Sequence, residues 1–220
     1  MITTYILLFF IYSFLGWLIE VVGKLIQKGK FINRGFLIGP YCPIYGFAAL
    51  TMIFLWKGYL NDPFTLFILI TLTAAILEYI TSFILEKIFK TRWWDYSNYK
   101  FNINGRICLE TMIPFGFAGL ILMYVLNPFF ESLLNSLPQI FLNISAFILL
   151  TSFIIDNIIT TKIIFNITTI SKIIKTDSTE RINKLIRKRI EKNNKILQKR
   201  ILHAFPKLKF LSIKIKRKRK

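Results

Sequence analysis

Histidine is nearly missing from this sequence: His203 is the one copy in 220 residues. Cysteine occurs twice, as Cys42 and Cys108. So few soft ligands exclude a Cys/His metal site, and two cysteines exclude a disulfide scaffold. No Gly-x-x-x-x-Gly-Lys-Ser/Thr phosphate loop is present, so the chain does not hydrolyse ATP by that route. Gly-x-Ser-x-Gly, His-Glu-x-x-His and Cys-x-x-Cys are missing as well. With its single histidine near the C-terminus, the body of the chain offers no Ser–His or Cys–His nucleophile. Chemistry, if there is any, falls to carboxylates and arginines. No catalytic residue, metal or cofactor is expected from these residues.

Acidic residues are scarce where basic ones are dense. Residues 166–220 hold 19 of the 30 Lys and Arg against three acids, a net of +16. Residues 1–165 hold 11 basic and eight acidic groups, a net of +3. The chain is therefore a nearly neutral body, 1–165, carrying a basic tail, 166–220. Hydrophobic residues make up 54% of the whole, above the usual 45–50% of soluble domains and concentrated in the body. That excludes an ordinary soluble enzyme and a disordered protein.

Long apolar runs are what the body does have. A bilayer core needs about 20 mostly apolar residues per helix. Five stretches fit: 2–22, 41–56, 64–85, 107–126 and 140–161. Turn residues separate them, including Gly29 and Gly35, Gly58-Tyr59-Leu60-Asn61-Asp62-Pro63, Asn104-Gly105, and Asn127-Pro128 with Pro138. The second stretch is the weakest, because Pro40, Pro43 and Gly46 crowd its start. The expected class is an all-α membrane protein with five transmembrane helices. Orientation follows from the cations. The 24–34 and 87–106 connections are basic, the 57–63 and 127–139 turns are not, and the tail is basic throughout. Five spans satisfy this alternation with the N-terminus outside and the C-terminus inside.

Residues 31–50 and 101–120 share six identities in 20 at an offset of 70, among them Gly35/Gly105, Gly46/Gly116, Phe47/Phe117 and Ala48/Ala118. Upstream, Gly16-Trp17-Leu18-Ile19-Glu20 resembles Ala74-Ala75-Ile76-Leu77-Glu78 at an offset of 58. The first four helices are thus expected to be a parallel two-helix repeat, with an insertion of 12 residues near 90–99.

Four carboxylates fall inside the expected spans: Glu20, Glu78, Glu110 and Asp156. Each lies within roughly 12 Å of the inner face at 1.5 Å per residue. A charge at the bilayer centre costs about 2.5–3.5 kcal/mol on insertion scales, so these acids should face inward and be paired. Arg34 and Arg106 flank the two halves at that face and can clamp a carboxylate bidentately. Lys162 is the natural partner of Asp156 along one helix. Asp95, in the neighbouring loop, is added to the cluster. Glu20, Arg34, Glu78, Asp95, Arg106 and Glu110 form either a polar cavity open to the cytoplasm or a set of structural ion pairs.

Gly35, Gly39, Pro40, Pro43 and Gly46 prevent a regular helix over 33–46, and Gly105 shapes the second such turn. Irregular backbone at membrane depth requires cover by protein or a water cavity, which suits a re-entrant entry to the second span. Trp93, Trp94 and Tyr96 read as interface anchors. In the tail, Asp177 and Glu180 form a capping pattern, and Ile182, Leu185, Ile186, Ile190, Leu197 and Ile201 make an apolar stripe. The spacing predicts an amphipathic helix over 178–203 lying on anionic lipid headgroups. Nucleic acid is the minor reading of that charge.

The runs Phe14-Leu15-Gly16-Trp17-Leu18-Ile19-Glu20, Asn33-Arg34-Gly35-Phe36-Leu37, Gly39-Pro40, Cys42-Pro43-Ile44-Tyr45-Gly46, Leu77-Glu78-Tyr79, Arg92-Trp93-Trp94-Asp95-Tyr96 and Asn102-Ile103-Asn104-Gly105-Arg106-Ile107-Cys108-Leu109-Glu110 together resemble the CmpB family of type IV ABC-transporter permeases, over roughly 5–125. The resemblance implies a multi-pass permease subunit in a bacterial plasma membrane, with a separate ATPase as partner. The residues themselves leave open a membrane-embedded enzyme acting on a lipid or envelope precursor, or a non-catalytic scaffold. Substrate and oligomeric state are likewise open.

Overall fold

The computed structural model describes residues 2–173, 190, 196–204 and 209–210. Apolar runs fold into long helices because every backbone group is then satisfied within its own segment. In chain order they are α1 (Ile2–Lys28), α2 (Pro43–Trp56), α3 (Pro63–Phe89), α4 (Leu109–Ile121), α5 (Asn127–Asn135) and α6 (Gln139–Ile173). A shorter helix, α7 (Ile196–Ala204), lies in the tail. Among the described residues, four two-residue strands accompany them: β1 (Thr91–Arg92), β2 (Asn102–Ile103), β3 (Ile107–Cys108) and β4 (Lys209–Phe210). Strands β2 and β3 form a hairpin, and β1 pairs antiparallel with β4 of the tail. Phe101, Asn104 and Gly105 all take positive φ, which lets the chain reverse tightly around this hairpin.

Among the described residues, four stretches are long and apolar enough to cross a membrane: Ile2–Lys28, Pro63–Phe89, Leu109–Asn135 and Gln139–Ile167. The third exceeds the expected 107–126, because Asn127-Pro128 does not end the helix. A single π turn, Leu122–Leu126, precedes Pro128 and shifts the hydrogen-bond register so that the proline opens α5. Asn127 turns inward and accepts from the Tyr12 hydroxyl at 3.3 Å. The α2 helix has only 14 residues, so it rises about 21 Å. Asp62 starts α3 by accepting from the Thr65 amide at 3.1 Å, and hydrogen bonding from the Thr65 side chain, then from its amide, lowers the Asp62 carboxyl below the usual range.

Helix α1 packs chiefly on α2, and α3 on α4. Both contacts are made through glycine. Gly46 faces Phe9 and Ser13, whereas Gly116 faces Phe67 and Thr71. Phe47 meets Phe9 at 4.9 Å between ring centroids, and Phe117 meets Phe67 at the same 4.9 Å. Tyr45 and Phe115, matched at the offset of 70, touch each other at 6.2 Å. A core of Leu8, Leu66 and Ile70, all fully buried, fills the centre of the bundle. Many large apolar side chains stay exposed, including Ile76, Phe117 and Phe147. Such a surface suits lipid.

The two ends of the bundle differ in charge. At one end Thr3 bonds Asn143, and Tyr124 bonds the Leu60 carbonyl. At the other, the basic 24–34 and 87–106 connections meet the described part of the tail, Arg34 through Ala204 and β1 through β4.

Candidate functional site

A pocket of about 480 Å³ opens at this basic end. Helix α1 supplies one wall through Glu20, Lys24 and Lys28. Four-residue spacing keeps all three on one side of the helix. Arg34 enters from the loop after α1, and Asp95 and Tyr96 enter from the segment after β1.

Glu20 is held from two sides. Its Oε2 lies 3.3 Å from Arg34 Nε, and its Oε1 accepts from the Tyr45 hydroxyl at 3.0 Å. Arg34 also donates through Nη1 to the Ala204 carbonyl at 2.7 Å. A guanidinium there meets the negative end of α7. Glu78 lies behind the pocket wall, 8% exposed. Its Oε1 accepts from the Tyr96 hydroxyl at 3.1 Å, and its Oε2 is buried with no hydrogen-bond partner among the described residues. Burial, followed by the nearby Glu78 charge, pushes the Tyr96 hydroxyl far above its ordinary value, so it remains a donor.

Other expected members lie elsewhere. Arg106 does not clamp Glu20, Glu78 or Glu110. It pairs with Glu86 at 3.1 Å, donates to Ser82 Oγ at 3.1 Å, and lies over the rings of Tyr79 and Phe83. Glu86 also accepts from Arg92 Nε at 3.0 Å, and Arg92 Nη1 lies 3.6 Å from Asp95. Glu86 was missed because it falls just past the expected span of 64–85. The signal was the four-residue step Glu78–Ser82–Glu86 along α3. Glu110 stays exposed in the first turn of α4, where the helix dipole favours an acid, and takes no part in the pocket.

Asp156 bonds a loop rather than Lys162. Its Oδ1 accepts from the Ile38 amide at 3.0 Å and from Thr160 at 2.8 Å. Its Oδ2 accepts from the Gly39 amide at 2.7 Å and from the Tyr41 hydroxyl at 2.8 Å. This carboxylate fixes the irregular 33–42 segment, whose glycines bring backbone amides within reach. Asn33 helps from inside the loop, accepting from Trp17 Nε1 at 2.8 Å and from the Gly35 amide at 3.2 Å. Gly35 and Leu37 of this segment are buried, Pro40 is exposed, and Pro43 opens α2.

The expected interface anchors turn inward. Trp93 is 4% exposed and packs with Phe36 and Phe89. Trp94 donates to the Arg106 carbonyl at 2.9 Å, and Tyr96 serves Glu78. Two apolar residues of the described part of the tail pack on protein, while Ile196 stays exposed. Ile190 and Ile201 are 1% and 2% exposed, in one cluster with Phe89, Trp93, Ile164 and Ile167. Arg200 donates to the Gly35 and Leu37 carbonyls. Phe89 of α3 and Ile164 and Ile167 of α6 thus receive Ile190 and Ile201, two members of the stripe expected to lie on lipid headgroups; Leu197 is exposed, and Ile182, Leu185 and Ile186 lie outside the described residues. The capping pattern at Asp177 and Glu180 lies outside the described residues.

Long apolar helices with lipid-suited outer faces, enclosing buried carboxylates and a polar pocket, define a multi-pass helical membrane protein. The CmpB family, described as "Putative ABC-transporter type IV", matches residues 7–161. The chain belongs to this family. No curated protein and no solved structure gives a match. The tail helix that borders the pocket lies beyond the matched stretch.

Proposed function

We propose that this chain is the permease subunit of an ABC-type transporter in a bacterial plasma membrane, served by a separate ATPase subunit. The pocket of mixed charge between Glu20, Arg34 and Asp95 carries this reading, in a chain of a transporter family. The basic end is the cytoplasmic one, because cations favour the inner side. The N-terminal end of α1 and the start of α6 lie together at the opposite end, through Thr3 and Asn143, while the tail lies at the basic end. Five passes with the N-terminus outside account for this placement, with the short α2 entered from the irregular 29–42 segment. The matched contacts of Gly46 and Gly116 support a duplicated helix pair. In this reading α7 guards the cytoplasmic route to the pocket, since Arg34 ties its last carbonyl to Glu20.

The experiment is purification of the tagged full-length chain from its native membrane in mild detergent. An ATPase subunit and ATP hydrolysis should travel with it. Repeated purification without either, with in-cell crosslinking equally blank, would remove the permease reading and favour a chain that works alone.

A further inference from the structure

We propose that the pocket beside Glu20 binds an aminophosphate: an ammonium and a phosphate joined by a short spacer, as in ethanolamine phosphate or an ethanolamine phospholipid headgroup. This rests on the reading of the pocket as a ligand site and goes further by naming its ligand.

The order of charge along α1 is the first observation. Glu20, Lys24 and Lys28 all line the pocket, and each step of four residues advances about 6 Å along the helix. The sign changes from negative to positive within one such step. An ammonium and a phosphate held apart by two carbons have a comparable separation and the same polarity.

The surroundings extend this polarity. At the Glu20 end, Tyr45 and Tyr96 each give their hydroxyl to a carboxylate, Glu20 and Glu78 respectively. Among the described residues Glu78 has no ion-pair partner, and its Oε2 is buried and unpartnered. Glu20 thus sets a carboxylate in the pocket, with the acidic side chain of Glu78 behind its wall, and this end of the pocket favours a cation. Trp94 and Tyr99 add ring faces that suit an ammonium and its methylenes. Farther along α1, the exposed Lys28 offers its ammonium to a phosphate, and Lys24, which donates to Gln27, adds its charge beside it.

Discrimination follows from the same layout. An anion without an amine meets Glu20, and an amine without a phosphate meets the two lysines. Only a ligand carrying both signs in this order is attracted at each end. A volume of about 480 Å³ lies within the usual range for small-ligand sites.

The test uses the full-length protein in nanodiscs. In phosphatidylglycerol nanodiscs, ethanolamine phosphate, inorganic phosphate and ethanolamine are titrated separately, read by tryptophan fluorescence. Ethanolamine phosphate should bind at least tenfold more tightly than either part. Lys28→Gln, at an exposed position, should weaken it at least fivefold, and Glu20→Gln should abolish the preference over inorganic phosphate. In mixed phosphatidylethanolamine and phosphatidylglycerol nanodiscs, mass spectrometry reads the lipid retained by the protein. Enrichment of the ethanolamine lipid, lost in Lys28→Gln, identifies a headgroup as the source. Binding of the soluble compound without lipid enrichment identifies a soluble aminophosphate. Inorganic phosphate binding as tightly as ethanolamine phosphate, and weakened by Lys28→Gln, would overturn the ligand class and leave the pocket a ligand site. No binding of any probe and no lipid enrichment would overturn both.

Discussion

Replacing Asp156 by alanine is expected to lower stability by about 2–6 kcal/mol. The change orphans the Ile38 and Gly39 amides, each worth roughly 1–3 kcal/mol when left buried and unpaired. It also removes the acceptor of the Tyr41 and Thr160 hydroxyls. Asparagine should rescue little, because whichever way its amide turns, one NH2 group faces a donor. Thermal unfolding in detergent, followed by a thiol-reactive dye, measures the effect. A fall on the order of 10 °C is expected for both variants. Wild-type melting in Asp156→Asn would show that Asp156 does not hold the 33–42 loop.

Adding a methyl group at Gly46 is the second large effect. A Cβ there would lie 2.5 Å from the Phe9 carbonyl oxygen and also collide with Ser13 Oγ. Backbone cannot rotate away, so α1 and α2 must separate. At Gly116 the obstacles are the side chains of Thr71 and Phe67, the ring at 2.6 Å, and side chains can turn. Overpacking of this kind typically costs about 1–3 kcal/mol, and Gly46→Ala should lie at or above the top of that range. Gly116→Ala should be milder, and Gly46→Leu should yield no folded protein. Size-exclusion profiles and melting temperatures of the three variants read this order. Equal melting of Gly46→Ala and wild type would contradict the close α1–α2 approach.

The long helices were legible because apolar length and turn chemistry act locally. The exception, the helix passing through Asn127-Pro128, depends on a π turn that no local signal announces. Placement of the charges was legible only in part. Arg34 and Glu20 stand at the same end of α1, so their meeting needs little more than chain proximity. Arg106 had several acids within reach, and the choice of Glu86 over Glu78 depends on how α3 rotates against the 87–106 connection. Trp93 and Ile201 show the larger difficulty. An apolar side chain at the membrane boundary can bury in lipid or in protein, and the burial energy per unit area is similar in both. Composition favours neither. Phe36, Phe89 and Ile167, brought together only by the fold, decide it for protein. Asp156 followed the same logic, because the backbone amides it binds become donors only once the 33–42 loop has formed.

The side of the membrane on which the pocket opens can be read by labelling Gln27, which lines it. The free cysteines Cys42 and Cys108 are first replaced by serine, and Gln27→Cys is introduced into the full-length chain. A membrane-impermeant maleimide is then applied to inverted and to right-side-out vesicles. Labelling of Gln27→Cys in inverted vesicles alone is expected, with Asn61→Cys and Ser136→Cys labelled in right-side-out vesicles alone. Labelling of Gln27→Cys only from the outside would reverse the orientation and contradict a pocket that faces the cytoplasm.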